Sequence, residues 1–270
     1  MVSTQDVCEA VRGLGLSGHP LCVHSSLSSF GWVEGGALTI VYGILAEGCT
    51  VMVPTFSWMF AIPPPPNMRR LRNAWDYDTY NGSTSGIGRI YTPDTVEIDE
   101  DMGSIPSAVV AMPQRTRGNH PLCSFTAIGP LERELVLGQR PLDVCAPLKE
   151  LAKFNGSIIL MGVGLDVMTL IHLAERMSGR NLFRRWANGP DGQSMEVEVG
   201  GCSDGFGNLE QFLSPLARTT KVGQSTWRIF PANATLETAE RAIRKDPWLT
   251  HCSNPRCGRC RDAVAGGPIL

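Results

Sequence analysis

The sequence predicts an α/β protein: a single three-layer α/β/α domain with a mostly parallel or mixed central sheet and a long inserted loop. Short apolar runs alternate with amphipathic segments, which is the pattern of strands that alternate with helices. One strand–helix–strand unit is complete between residues 20 and 54, and such a unit places its two strands parallel. The length of 270 residues is sufficient for one large domain with its own core.

The N-terminal part supplies an opening helix and this strand–helix–strand unit. Residues 4–14 are predicted to be helical because a hydroxyl residue can cap the segment and its apolar residues share one face. The apolar runs at residues 20–24 and 50–54 are the two strands, and residues 37–45 form the helix between them. Both strands end in polar residues, which we expect to meet at the same edge of the sheet.

A long proline-containing segment follows and is interpreted as an inserted loop, residues 57–106. A loop of this length within a compact domain is uncommon, and is usually either functional or disordered. Beyond it, we predict helices at residues 105–112, 146–154, 168–177, 209–218 and 235–245, and strands within 115–129, at 157–163 and, as an edge or hairpin strand, at 194–201. The C-terminal tail, residues 246–270, is rich in cysteine.

Composition excludes several classes of protein. Lys and Arg number 24 and Asp and Glu number 26, so the net charge is −2 and no basic excess indicates nucleic-acid binding. No apolar run approaches the ~20 residues that a membrane helix needs, and no polybasic block suits an anionic membrane surface. Residues 1–6 have neither the basic nor the apolar part of a secretory signal. We therefore expect a cytoplasmic protein without nucleic-acid or membrane partners.

The first candidate site lies where the two early strands end. The first strand runs into a serine-rich turn and the second is followed by hydroxyl residues; the residues concerned are His24, Ser25, Ser26, Leu27, Ser28, Thr55 and Ser57. Amides and hydroxyls at the start of a helix can bind a phosphate or a cofactor that carries phosphates. The alternative is a polar turn that only caps a helix.

The second candidate site lies on the predicted helix 168–177. Thr169, His172 and Glu175 are spaced three apart, so they share one face among apolar neighbours. A carboxylate beside a histidine orients the imidazole and raises its basicity, as a general base requires. The alternative is a hydrogen-bonded His–Glu pair of the core. His120 precedes a proline and is predicted to be either structural, a hydrogen-bond donor or a base.

The nine cysteines fall into two groups. Six are scattered, mostly among apolar residues, and are expected to be buried thiols: Cys8, Cys22, Cys49, Cys123, Cys145 and Cys202. Cys252, Cys257 and Cys260 cluster in the tail with a spacing that resembles half of a zinc knuckle. A structural zinc ion would need a fourth ligand, which the sequence does not identify. The alternative is a loop with reduced thiols.

Taken together, the motifs resemble those of the aminoglycoside 3-N-acetyltransferase family, the antibiotic N-acetyltransferases that are distinct from the GCN5-related enzymes. They occur in the order of that family between about residues 20 and 180. The segments are residues 24–28 with Gly31, 53–57, 102–106, 117–121 with Ser124, Ala127 and Gly129, and 162–164 with Thr169, His172 and Glu175. Each motif is weak on its own, but five in order are specific.

The resemblance implies a single domain that binds acetyl-CoA and acetylates an amine of a 2-deoxystreptamine ring. His172 would be the general base, and Glu175 its partner or a contact for a substrate ammonium. For the mechanism we expect Thr169, Ser57 or a backbone N–H of the Ser25 turn to bind the oxyanion. The coenzyme A side would include the serine turn 25–28 and Thr55, and His120 matches the family's His-Pro loop. The inserted loop would lie on the substrate side, where Trp58, Asp76, Asp78, Glu100 and Asp101 would bind a cationic aminoglycoside.

Several arginines leave the identity of the substrate undetermined. Those at positions 69, 70, 72, 180, 184 and 185 would repel a polycationic substrate if they faced its site. The alternatives are therefore the same reaction on another amine, such as a biosynthetic intermediate, or a non-catalytic module that binds coenzyme A. Direct transfer is expected, with an acyl-cysteine on Cys123 or Cys145 as the rival chemistry. The oligomeric state is left open, with a homodimer as one candidate.

Overall fold

The centre of the fold is a mixed seven-stranded sheet. The structure is a computed structural model that describes residues 1–79 and 84–270. The strands are β1 (Pro20–Ser25), β2 (Thr50–Phe56), β3 (Thr116–Arg117), β4 (Cys123–Ile128), β5 (Ser157–Met161), β6 (Phe183–Asn188), β7 (Ser194–Val199), β8 (Arg218–Val222) and β9 (Ser225–Pro231). The large sheet has the order β3-β4-β2-β1-β5-β9-β8, and β6 pairs with β7 in a separate hairpin.

Three parallel strands form the middle of the large sheet. Cys22 of β1 is paired with Met52 of β2 on one side and with Ile158 of β5 on the other. The strands outside this trio, β4 and β9, are antiparallel to their inner neighbours. The predicted parallel strand–helix–strand unit is therefore confirmed. The carboxyl ends of β1, β2 and β5 open at one edge, where parallel sheets commonly bind ligands.

Helices cover both faces of the sheet and complete the three layers. The helices are α1 (Thr4–Gly13), α2 (Ala37–Ala46), α3 (Ser104–Ala111), α4 (Glu132–Val136), α5 (Ala146–Lys153), α6 (Leu170–Met177), α7 (Glu210–Leu213), α8 (Ala232–Lys245) and α9 (Gly258–Val264). Apolar residues of α1, α2 and α3 share one core, whereas those of α4, α5, α6 and α8 share the other. Within residues 1–79 and 84–270, no helix has both the length and the apolar character needed to cross a membrane.

The alternation of side chains along the strands explains why two cores form. In β1, Leu21 and Val23 belong to the core beside α1 and α2, whereas Cys22 between them belongs to the core beside α5 and α6. Ile158 and Ile159 of β5 divide in the same way. Successive side chains of a strand point to opposite faces, so a continuous apolar run supplies both cores. The predicted α/β/α layering is confirmed, with a mixed sheet.

The C-terminal half differs from the prediction in one helix and three strands. The predicted helix 209–218 is wrong, because α7 spans only Glu210–Leu213 and Pro215 follows in a 3₁₀ turn. The strands β8 and β9 were not predicted, although alternate residues of β9 are buried, among them Trp227 and Ile229. The expected hairpin strand 194–201 pairs with β6, which was also not predicted.

The inserted loop 57–106 is irregular but packs on the β6–β7 hairpin. Ala61 and Ile90 form isolated bridges with this hairpin. The side chain of Asn73 exchanges two hydrogen bonds with the backbone of Arg184, at 2.8 and 2.9 Å. Residues 80–83 of this loop lie outside the described part of the chain. The loop is thereby held beside the carboxyl edge of the large sheet.

Candidate active site

A cleft of about 490 Å³ lies at the carboxyl edge of the parallel strands. Strands β1 and β2 contribute one wall, and the segment after β5 with the start of α6 contributes another. The residues from these elements are Val23, His24, Ser25, Pro54, Phe56, Val163, Asp166, Val167, Met168, Thr169 and His172. Further wall residues come from the inserted loop, the region after β7 and the tail: Trp58, Asp101, Met102, Pro106, Gly200, Gly201, Ser203, Phe206 and Arg259. The cleft therefore joins the ends of β1 and β2, the start of α6 and the inserted loop, three regions in which site residues were predicted.

His172 is the basic side chain at the centre of this arrangement. It lies in the first turn of α6, and its Nδ1 is 2.8 Å from Oε2 of Glu175 one turn further along the helix. Nδ1 donates this hydrogen bond, because an ionised carboxylate can only accept. Within the described part of the chain no hydrogen-bond partner approaches Nε2, the nitrogen left toward the cleft. The lone pair of Nε2 is thus available to accept a proton.

Glu175 is itself fixed by two further donors. Arg180 donates from Nη1 to Oε1 at 2.6 Å, and Thr250 donates from Oγ1 to the same oxygen at 3.0 Å. Glu175 is only 4% exposed and does not line the cleft. Of the two roles expected for it, these contacts fit the partner of His172 and do not fit a direct contact with a substrate ammonium. Arg180 and Thr250 were not predicted as part of this network.

The ring of His172 is also held by packing. Phe206 meets it edge to face, with 4.8 Å between the ring centroids. A Cβ atom added to Gly200 would lie 2.5 Å from Cδ2 and 2.7 Å from Nε2 of the imidazole. Only glycine leaves room for the ring in this position. Together with Glu175, these contacts restrict both the position and the tautomer of the base.

Thr169 and His24 form a polar pair on the wall beside His172. Oγ1 of Thr169 lies 3.5 Å from Nε2 of His24, which lies 3.7 Å from the sulfur of Cys22. Burial lowers the pKa of His24 to about 4. His24 is therefore neutral at pH 7 and can orient the hydroxyl of Thr169.

Thr55, Ser57 and His120, three of the residues expected to bind the cofactor, are buried and do not line the cleft. Thr55 hydrogen-bonds Ser124 and Thr126 on the neighbouring strand, and Ser57 donates to the carbonyl of Pro121 at 2.9 Å. Both of these predicted residues are fully buried. Both stand at the carboxyl end of β2, but their hydroxyls are occupied by interior partners and do not line the cleft.

His120, the third of these residues, is also bonded on both ring nitrogens. The amides of Leu122 and Cys123 donate to Nδ1, and Nε2 therefore donates to the carbonyl of Glu198 at 2.8 Å. Burial lowers the pKa of His120 to about 4. Of the three alternatives that the sequence left open for His120, these contacts fit the structural one.

The serine turn is only partly in the cleft. Ser25 lines it, whereas Ser26, Leu27 and Ser28 do not, and the hydroxyls of Ser26 and Ser28 lie 2.9 Å apart. The turn continues as a short 3₁₀ helix, Leu27–Phe30, and α2 begins later with Gly36 as its N-cap. The turn therefore opens a 3₁₀ helix of four residues and does not lead directly into α2.

Two acidic side chains face the cleft. Asp101 was predicted, whereas Asp166, which follows β5, was not. The sequence signal that could have identified Asp166 is its position just after the end of an apolar strand. Trp58 also lines the cleft as expected, and its amide donates to the carboxylate of Asp99 at 3.0 Å.

The other predicted acidic contacts lie elsewhere. Asp76 accepts hydrogen bonds from the amide of Asp78 and from the hydroxyl of Thr79. Neither Asp76 nor Asp78 lines the cleft, because both belong to a turn of the inserted loop. Glu100 is exposed beside Asp101 but does not line the cleft.

The arginines that could have repelled a cationic substrate are used within the fold. Arg70 pairs with Glu196, Arg184 with Glu198, and Arg180 with Glu175. Arg69 lies over the ring of Tyr77, Arg72 donates to the carbonyl of Gly267, and Arg185 lies over the ring of Trp75. None of these six guanidinium groups lines the cleft. Among the described residues, Arg259 is the cleft's one arginine or lysine.

Two cysteines that could carry an acyl group lie in the cleft wall. Burial raises the pKa of Cys145 to about 12 and raises that of Cys123 as well. Both are therefore thiols at pH 7, and the nucleophilic form of cysteine is the thiolate.

Comparisons with known proteins identify the family of the chain. The sequence profile of the family described as aminoglycoside 3-N-acetyltransferase matches residues 22–244. The chain belongs to this family. The resemblance inferred from the motifs is therefore confirmed, and the relatives are named as aminoglycoside N(3)-acetyltransferases.

Individual relatives of this aminoglycoside 3-N-acetyltransferase family member differ in how much they share with it. The SPbeta prophage-derived aminoglycoside N(3')-acetyltransferase-like protein YokD of Bacillus subtilis (strain 168) is 27% identical over 260 residues, 88% of this chain and 90% of that protein. The aminoglycoside N(3)-acetyltransferase IX of Micromonospora chalcea is 34% identical over 174 residues. That match covers 61% of this chain and 58% of the relative, so it spans little more than half of that enzyme.

Solved structures show that the fold is shared along nearly the whole chain. An AAC(3)-IVa mutant in complex with a gentamicin superposes with a TM-score of 0.77 and 22% identity, covering 98% of this chain and 97% of that chain. AAC-IIIb in a binary complex with CoASH gives a TM-score of 0.71 at 19% identity, covering 90% of this chain and 96% of that chain.

Proposed function

We propose that this protein transfers the acetyl group of acetyl-CoA directly to an amine of an aminoglycoside, with His172 as the general base. The observation that carries the proposal is the geometry of His172, whose Nδ1 is bonded to Glu175 while Nε2 is left toward the cleft. Complexes of family relatives with CoASH and with a gentamicin support the choice of donor and acceptor.

The reaction requires an unprotonated amine, because an ammonium has no lone pair. Nε2 of His172 accepts the proton as the nitrogen attacks the thioester carbonyl, and Glu175 stabilises the imidazolium that forms. The carbonyl oxygen becomes an oxyanion, to which the hydroxyl of Thr169 donates. When the intermediate collapses, the C–S bond breaks and the coenzyme A sulfur leaves with the proton. The products are the N-acetylated amine and the free thiol.

Direct transfer is favoured over an acyl-enzyme. The cysteines of the cleft wall, Cys123 and Cys145, are held as thiols by burial. Neither sulfur has a histidine nitrogen within hydrogen-bonding distance among the described residues. The amine therefore attacks acetyl-CoA itself, and holding both reactants in one cleft lowers the entropic part of the barrier.

The charge of the cleft suits a substrate with several ammonium groups. Asp101 and Asp166 face it, and the six arginines of the inserted loop and the region after α6 do not. Carboxylates attract ammonium groups most strongly where water is partly excluded. This distribution favours an aminoglycoside over a neutral or anionic amine, and Arg259 is the group available to the phosphates of the cofactor.

The proposal is tested by thiol release from acetyl-CoA in the presence of gentamicin, neomycin, kanamycin and simple polyamines. We expect release that depends on an aminoglycoside. His172→Ala should lower kcat by roughly a factor of 100 to 10,000, the usual contribution of a general base, with little change in thermal stability. The matched control is His19→Ala, because His19 is exposed and does not line the cleft.

Three results would contradict this function. Turnover of His172→Ala at the rate of the wild type would remove the assigned base. Binding of acetyl-CoA without release on any aminoglycoside, but with release on another amine, would favour the alternative in which the same chemistry acts on a biosynthetic intermediate. Binding without release on any amine would favour the coenzyme A-binding module.

A further inference from the structure

Four cysteine side chains meet beside the cleft, where the tail contacts the region after β7. The sulfur atoms of Cys202, Cys252, Cys257 and Cys260 all lie within 4.8 Å of one another. Cys202 follows β7, whereas the other three belong to the tail 246–270. Cys202 is a buried free thiol, as expected, but it lies with the tail cysteines and supplies the fourth member that their spacing left open.

The make-up of this cluster differs from that of a hydrophobic core. Its members are Cys202, Cys252 and Cys260 with Cys257 packed against them, and within residues 1–79 and 84–270 no aliphatic or aromatic side chain is part of it. The two main cores consist largely of such side chains. All four cysteines are free thiols rather than disulfides. Thiols that gather from two distant segments without other apolar partners are typical of a metal site.

We propose that Cys202, Cys252, Cys257 and Cys260 bind one zinc ion as four thiolates. Each thiol releases its proton to solvent as its Zn–S bond forms, and no oxidation or reduction is involved. Zn–S bonds of about 2.3 Å in a tetrahedron place the sulfurs about 3.8 Å apart, so sulfurs within 4.8 Å of one another need shifts of about 1 Å or less. Arg256 and Arg261 in the same segment give the tail positive charge, which favours thiolates over thiols.

The polypeptide around the four sulfurs has the local structure that such a site needs. Cys257 is the N-cap of α9 and Cys260 lies in its first turn, so the two sulfurs point to the same side. The amide of Cys252 donates to the sulfur of Cys260 at 3.4 Å, as amides around zinc-bound thiolates do. Two of the four ligands and their supporting amide are thereby arranged by local geometry alone.

The segment with Cys202 is fixed to the tail by contacts that do not involve sulfur. A Cβ atom on Gly205 would lie 2.4 Å from the carbonyl oxygen of Thr250, so the two backbones touch there. The side chain of Asn208 donates to the carbonyls of Leu249 and His251 at 3.0 and 3.2 Å. The fold itself therefore brings the fourth ligand to the other three.

The metal site would support the wall of the cleft that holds the base. Gly200, in contact with the ring of His172, lies two residues before Cys202, and Thr250, which donates to Glu175, lies two residues before Cys252. Arg259 of the cleft stands between Cys257 and Cys260. This catalytic consequence rests on the proposed function, whereas the presence of the metal does not.

The test is the zinc content of the full-length protein purified with a thiol reductant and no chelator. We expect about one zinc ion per chain in the wild type, and zinc affinity at least tenfold weaker in Cys202→Ser and Cys257→Ser. The matched control is Cys8→Ser: Cys8 is also buried, but its sulfur donates to the carbonyl of Gly43 far from the cluster. This control should keep its zinc.

A second measurement keeps the proposal testable if the serine variants do not fold. The wild-type protein is exchanged into cobalt, and its absorption should show the thiolate-to-cobalt bands of a tetrahedral four-sulfur site. The proposal would be overturned by a wild type that takes up no zinc after reduction and reconstitution. It would also be overturned by disulfides among these cysteines that persist in the presence of reductant, or by undiminished zinc affinity in Cys202→Ser. Zinc in a protein that acetylates no amine would support the metal site and contradict the proposed function instead.

Discussion

Gly200 is the residue whose substitution most directly tests the placement of His172. A Cβ atom there would lie 2.5 Å from Cδ2 of the imidazole, a distance that requires the ring to move. Because Nδ1 is held by Glu175, the movement would displace Nε2 from the position in which it meets the amine. Gly200→Ala should therefore reduce kcat by roughly a factor of 100, the effect expected of a misplacement of about 1 Å.

The matched control for this prediction is Gly207→Ala. Gly207 lies in the neighbouring 3₁₀ helix Phe206–Leu209, and an added Cβ would meet no atom within 4 Å. Steady-state kinetics measure kcat of both variants, and thermal unfolding shows whether each variant is folded. Equal kcat values for the two variants would mean that the position of the ring is unimportant to turnover.

The sequence predicts single residues well only where local spacing places them. Thr169, His172 and Glu175 share a helical face, and one turn of helix brings the last two within 2.8 Å. Arg180 and Thr250 complete the same network, but Thr250 reaches it through the tertiary fold across 75 residues. The failure for Thr55 and Ser57 has the same origin, because their partners lie on β4 and in the segment before it.

At the scale of elements, Arg117 connects β3 to the inserted loop. This side chain is 2% exposed, and its guanidinium donates to the carbonyls of Thr55, Thr95 and Glu97 at 2.7, 2.6 and 3.2 Å. Burial lowers the pKa of Arg117, although the group stays charged at neutral pH. The bonds to Thr95 and Glu97 hold the part of the loop that leads to Asp101.

Arg117→Lys should therefore loosen the loop and destabilise the fold. Lysine offers one compact set of donors and cannot reach these carbonyls in the fork geometry of arginine. We expect the free energy of unfolding to fall by about 3 kcal/mol, as when buried bonds to a charge are left unpaired. Urea unfolding measures the loss, and amide exchange should accelerate at residues 95–101 more than elsewhere.

Arg133→Lys is the control, since Arg133 is exposed on α4 and its change should stay within about 0.5 kcal/mol. A loss in Arg117→Lys no larger than in Arg133→Lys would show that the buried guanidinium does not hold the loop.

The elements that could be predicted are those with a strong and uninterrupted period. Pro20–Ser25, Ala37–Ala46 and Thr50–Phe56 are apolar and bounded by turns, and their short connections determine their pairing. The strands β8 and β9 were missed because charged and hydroxyl residues weaken the apolar alternation, and burial against the sheet edge decides their state. The β6 strand has the same difficulty, since it carries two arginines that are buried by ion pairing and ring contacts.

At the scale of the whole molecule, two buried histidines connect stability to pH. The pKa of His24 and of His120 is lowered to about 4 in the folded state by burial, from a value of 6.5 for a free side chain. The unfolded chain therefore binds protons that the folded protein does not bind between pH 6.5 and pH 4. The stabilisation is fully present above pH 6.5 and is lost as the pH falls toward 4.

The size of this effect can be measured with His24→Asn, which removes one of the two groups. A shift from 6.5 to about 4 lowers the free energy of unfolding by about 2 kcal/mol between pH 7 and pH 5 for each histidine. Between pH 7 and pH 5, the free energy of unfolding of the variant should fall by about 2 kcal/mol less than that of the wild type, whatever the stability of the variant at pH 7. Because both proteins carry the same carboxylates, their titration cancels in the comparison. Urea unfolding at the two pH values decides the outcome: parallel losses would mean that His24 titrates alike in the folded and unfolded states, and that its burial does not exclude the proton.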